Sequence, residues 1–168
     1  MKVDSPTSIL VRMSLGDNIV VTLFGESHGP AVGALIEGMP PNIELDTDQL
    51  IADMIARRPG SGLASKRKET DEVEILSGVN SGKTTGMPIL LLIKNRDVRS
   101  KDYSFLPYQP RPGHVDHPIN VKTEGAADLR GGGSFSARLT AGLVAAASLS
   151  RNLLPSEWII EAKVGALG

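Results

Sequence analysis

Apolar and polar positions along this chain form a few short regular stretches separated by glycine- and proline-rich breaks. Residues 19–24 (IVVTLF) and 31–36 (AVGALI) have the composition of strands, joined across the break GESHG at 25–29. EGMPPN at 37–42 predicts a turn through its glycine and prolines. A helix is predicted next, capped by Asp46 or Thr47 and ended by Pro59-Gly60, with Leu50, Ile51, Met54 and Ile55 on its apolar face. Residues 73–76 and 89–93 read as strands, the second wholly apolar and therefore expected to be buried. Residues 95–133 show little periodicity, and so long an irregular segment is expected to carry function. Residues 136–154 predict a second helix, with Leu139, Leu143, Ala146, Leu149 and Leu153 on one stripe. Ala145, Ala146 and Ala147 suit it to close packing on a sheet. A last strand is predicted over 158–164. Residues 1–17 read as a loosely structured lead-in, and 18–168 as a single domain.

Composition narrows the function classes. Lysine plus arginine total 18 against 19 aspartates and glutamates, a net charge of −1, which argues against a nucleic-acid binder acting through bulk charge. The absence of cysteine excludes disulfides, thiolate metal sites and cysteine nucleophiles. No apolar run reaches the length of a membrane span, and MKVDSPTSIL lacks the apolar core of a secretory signal, so a cytoplasmic protein is expected. Glycine (18) and proline (11) exceed their usual share while aromatic residues are only 4%. Backbone amides and cations are therefore the expected recognition tools, rather than stacked rings around a flat ligand.

Three segments concentrate chemistry. In GESHG the glycines permit a sharp turn that presents His28 at a strand end, where imidazole can transfer a proton near neutral pH; a plain tight turn fits the same residues. RPGHVDHP at 111–118 places Arg111, His114, Asp116 and His117 in one loop; Asp116 can orient an imidazole, and a His-x-x-His metal pair is the weaker alternative, so no metal is expected. DLRGGGSFSAR at 128–138 sets a glycine run before a helix, with free amides, Ser134 and Ser136 hydroxyls, and Arg130 and Arg138 all suited to an anion; a flexible loop with a serine cap is the other reading. SGVNSGKTT at 77–85 superficially matches a phosphate-binding P-loop. Ser77 stands where its first glycine belongs, and a strand rather than a helix follows, so a hairpin-like turn is expected.

Taken in order, FGESHG (24–29), EGMPPNIELD (37–46), ARRPG (56–60), the run DEVEIL to KDYS (71–104), RPGHVD (111–116) and DLRGGGSFSARLTA (128–141) resemble the chorismate synthase family. That resemblance implies an α+β fold, a layered β-α-β sandwich of which this chain carries only the first half. It implies trans-1,4-elimination of phosphate from 5-enolpyruvylshikimate 3-phosphate to give chorismate, with reduced FMN, NADPH as a source of reducing equivalents, and a homotetramer. His28 matches the family histidine that protonates the departing phosphate, and His114 the one that supplies a proton to reduced flavin. Arg57, Arg58, Arg111, Arg130 and Arg138 match positions suited to substrate phosphate and carboxylates. Ser134, Phe135, Ser136 and Ala137 fall where the family contacts FMN. Leu63, Ser134 and His117 depart from residues common in the family, the first two at the expense of positive charge. Family chains continue well past the equivalent of residue 168, so the alternative is a truncated, non-catalytic flavin- or anion-binding half-domain that needs a partner half.

Overall fold

The computed structural model describes residues 12–58, 70–96, 100–161 and 165. Seven strands and three α-helices are formed by the described residues: β1 (Ser14–Leu15), β2 (Val20–Gly25), β3 (Ala31–Glu37), α1 (Thr47–Ala56), β4 (Val73–Ile75), β5 (Val79–Asn80), β6 (Lys83–Thr84), β7 (Ile89–Lys94), α2 (Asp116–Lys122) and α3 (Thr140–Ser150). The main sheet is antiparallel in the order β1-β2-β3-β7-β4. Antiparallel strands with helices on one face make this an α+β protein, as expected.

Register explains which side chains form the core. Val32, Ala34 and Ile36 of β3 lie opposite Ile93, Leu91 and Ile89 of β7, and all six are fully buried. Val21 and Leu23 extend that face across β2, and Val73 and Ile75 extend it across β4. Alternation decides the rest: Leu90 and Leu92 point the other way and are only half-buried, so the apolar run 89–93 of β7 is fully buried on one face alone. Burying each of the valine, leucine and isoleucine side chains fully within this layer contributes about 1.5–3 kcal/mol.

The helical segment expected over 136–154 is present as a 3-10 turn at Ala137–Leu139, α3, and a second 3-10 turn at Arg151–Leu153. The Ser136 hydroxyl caps its start by accepting from the Arg138 amide at 3.3 Å. Gly142 lies where α3 crosses the sheet: a Cβ there would stand 2.5 Å from the carbonyl oxygen of Gly33, so only glycine allows this approach. α1 packs on α3, capped by Asp46, whose carboxylate accepts from the Gln49 amide at 2.8 Å.

Several expectations need correction. On α1 only Leu50 and Met54 are buried, while Ile51 and Ile55 are 58% and 53% exposed, because α3 meets a narrower stripe than the sequence suggests. Ser14–Leu15, within the expected lead-in, pairs with β2. The segment from residue 95 is not wholly irregular: α2 forms with Pro118 in its first turn, where a missing amide costs little. The strand predicted over 158–164 is absent through residue 161. Trp158, Ile159 and Ile160 are exposed, and no described strand offers them a ladder of hydrogen bonds; residues 162–164 lie outside the described residues. The P-loop-like segment is a hairpin of β5 and β6 with Ser81 and Gly82 both in left-handed backbone, and β7 rather than a helix follows. Among the described residues no helix is long and apolar enough to cross a membrane.

Candidate active site

The β2–β3 connection is the tip of a hairpin and carries His28. The amide of Gly29 donates to the Glu26 carbonyl at 3.1 Å, closing the turn, and the amide of Ser27 donates to the Gly133 carbonyl at 3.1 Å. The second bond joins the hairpin tip to the glycine run. Gly131, Gly132 and Gly133 all have positive φ, and a Cβ on Gly131 would lie 2.5 Å from the His28 ring. Glycine at 131 is therefore a condition for His28 to sit where it does.

A tyrosine that the sequence did not single out completes this contact. The Tyr103 ring meets His28 edge to face, with centroids 4.8 Å apart and planes at 73°. The Arg111 guanidinium lies 5.4 Å from the same ring centroid, and the Phe105 ring centroid lies 6.3 Å from it. Aromatic residues are so scarce in this chain that a tyrosine in the polar KDYS stretch was the available signal.

Arg111 in turn holds Asp116 by a two-pronged pair, Nε to Oδ2 at 2.8 Å and Nη2 to Oδ1 at 2.7 Å. Asp116 is fully buried at the start of α2, and His114 stands exposed in the loop between them. Arg130 and Asp128 form a similar pair at 2.8 and 2.7 Å. His28 and Arg111 thus meet at Tyr103, and His28 also lies against Gly131, which follows Arg130 directly in the chain. His114 joins the same loop through its amide, which donates to the Arg111 carbonyl at 3.2 Å.

The other arginines are placed differently. Arg138 is buried, its guanidinium donating to Asp71, to Asn95 Oδ1 at 2.9 Å and to the Lys94 carbonyl at 3.4 Å. Arg57 donates to the other Asp71 oxygen at 2.6 Å and to the Thr140 hydroxyl at 3.2 Å, and Arg58 donates to the Thr70 carbonyl. Arg57 and Arg138 therefore bind the protein itself. Phe135 is 43% exposed and Ala137 is exposed, with Ser134 and Ser136 half-buried between and beside them. His117 is exposed on α2, and among the described residues no three His, Asp or Glu side chains gather as metal ligands. Leu63 lies outside the described residues.

The ion pairs set a pH response. Hydrogen bonding from Arg111 holds Asp116 below its ordinary value of 3.8, and hydrogen bonding from Arg130 does the same for Asp128. As pH falls the unfolded chain takes up these protons first, so their contribution is complete above pH about 4 and is lost below it. Thermal melts should show little change from pH 7 to pH 5 and a steep fall beneath pH 4, blunted in Asp116→Asn; an equal acid response in that variant would remove Asp116 from the explanation.

A family model described as chorismate synthase matches residues 19–168. The chain is 51% identical over 143 residues to a chorismate synthase of Aeropyrum pernix, covering 85% of this chain and 38% of that protein. It is 49% identical over 144 residues to one from Thermococcus kodakarensis, covering 86% and 41%. A crystal structure of chorismate synthase superposes with a TM-score of 0.58 at 30% identity, covering 81% of this chain and 33% of that one. The chain thus spans about two-fifths of the length of these curated relatives.

Proposed function

This chain belongs to the chorismate synthase family, and on that premise we propose that it forms the N-terminal part of an enzyme eliminating phosphate from 5-enolpyruvylshikimate 3-phosphate to give chorismate. The observation that carries the reading is the meeting of His28, Tyr103, Arg111 and the glycine run, from segments distant in the sequence. In this reading the His28 imidazolium donates its proton to the leaving phosphate oxygen. Negative charge grows on that oxygen as the C–O bond breaks, so a cation beside it stabilises the transition state more than the ground state. Arg111 and Arg130 bind the substrate's anionic groups. A carboxylate held on one edge of a guanidinium leaves donors on the other edge for a second anion. Arg58, exposed beside α1, is assigned the same duty from a greater distance along the chain.

The residues present fit a bound reduced FMN: Phe135 offers an exposed ring, Ser134 and Ser136 offer hydroxyls, and Ala137 presents an exposed small side chain that leaves room beside them. Reduced FMN, when bound, supplies an electron-rich ring to a reaction without net redox change, with NADPH as the source of its electrons. His114, exposed at the loop, holds a proton for exchange with that group. We assign the active assembly to the cytoplasm as a homotetramer.

Co-expression with the C-terminal remainder of a relative, in cells lacking chorismate synthase, tests the proposal. Restored growth without aromatic supplements, and chorismate formation in extracts, are the expected results. FMN binding without turnover would instead favour the non-catalytic half-domain, and neither binding nor turnover would overturn both readings.

A further inference from the structure

Asn95 follows β7 directly and makes four hydrogen bonds to two separate parts of the chain. Its amide nitrogen donates to the Pro30 carbonyl at 3.0 Å, and its carboxamide nitrogen donates to the carbonyls of Glu26 at 3.0 Å and Gly29 at 2.9 Å. Its carboxamide oxygen accepts from Arg138 Nε at 2.9 Å. A guanidinium cannot accept and a carbonyl cannot donate, so the carboxamide has only this orientation. Behind it, Arg138 is held by the buried Asp71, which Arg57 also grips at 2.6 Å. Three of the four bonds fall on the five-residue hairpin tip that carries His28.

We propose that Asn95 is a positioning residue for His28, clamping the 26–30 turn by its carboxamide while Arg138 and Asp71 lock that carboxamide in place. The backbone also ties the turn, through the Ser27 amide to the Gly133 carbonyl and the Gly29 amide to the Glu26 carbonyl. Removing the carboxamide takes away both side-chain donations to the turn and leaves the Asn95 amide bond to the Pro30 carbonyl in place. The inference rests on the catalytic reading only for its consequence in turnover, since the clamp itself is a matter of geometry.

Asn95→Asp separates clamp from fold. The new carboxylate still accepts from Arg138, with charge assistance, but it places an acceptor against two carbonyl oxygens that cannot donate. The chain has three histidines, so their imidazole proton resonances are separable, and His28 reports its distance from the Tyr103 ring through the ring-current shift. In the full chain, Asn95→Asp and Asn95→Ala should move the His28 resonance to its position in Tyr103→Leu while His114 and His117 stay unchanged. A His28 resonance that keeps its place in both variants would overturn the proposal. So would displacement of all three resonances together, which would make Asn95 a residue of the whole fold. Neither result depends on turnover or flavin, so a reconstituted protein that is inactive with its His28 shift intact would count against the functional reading alone.

Discussion

Replacing His28 by alanine in the reconstituted enzyme is expected to lower turnover by about 10²–10⁴-fold, the usual worth of a positioned general acid. That range corresponds to about 3–5 kcal/mol of transition-state stabilisation, and flavin affinity should stay within a few-fold because the serine-containing segment 134–137 is untouched. The ring also has a packing role against Tyr103 and Gly131, so alanine alone would not separate loss of a proton donor from loss of a wedge. His28→Phe does. It keeps an aromatic edge for Tyr103 and fills most of the same space, but it carries no transferable proton. Its turnover should fall as far as that of the alanine variant while its melting temperature stays near the parent value. Turnover by His28→Phe within a few-fold of the parent would end the assignment of acid catalysis to this residue.

The parts of this fold that local pattern determines were readable in advance. Strands β2, β3 and β7 follow from apolar runs between glycine breaks, and α1 and α3 follow from capped stripes ended by proline or glycine. The SGVNSGKTT hairpin was legible because a P-loop needs a following helix and the sequence offers a strand. Tertiary choices were not legible. Ile51 and Ile55 share the apolar pattern of Leu50 and Met54, and only the position of α3 decides which pair is covered. Residues 158–160 have strand composition, but a strand exists only beside a partner. Arg138 sits in a motif that suggests anion binding, yet it is buried and occupied by Asp71 and Asn95. His28 and Tyr103 are 75 positions apart, and no local periodicity records their contact.

Asp71 is where the largest loss of stability should follow a single change. Its carboxylate is 1% exposed and accepts from both Arg57 and Arg138, whose side chains are 18% and 6% exposed. Deleting it leaves two guanidiniums facing each other with no anion between them, one of them almost fully buried. Removing one partner from a buried ion pair costs about 3–5 kcal/mol, because the charge left behind loses its compensation while still shielded from water. Backbone geometry adds to this: Asp71 has φ +51, a region aspartate tolerates better than alanine. Asp71→Ala should therefore shift the urea midpoint below that of Asp71→Asn, which keeps the shape and one accepting oxygen while its NH2 group meets the other arginine as a mismatched donor. Screening offers no relief at this depth, so the loss should be nearly independent of salt, unlike that from breaking the exposed Arg96–Glu72 pair. The double variant Asp71→Ala with Arg138→Met removes the stranded charge together with its partner and should recover part of the loss. Equal stability of Asp71→Ala and the parent would mean that water reaches this cluster and that the arginines need no counter-ion. Arg138 could then no longer be the fixed point from which Asn95 reaches the His28 turn.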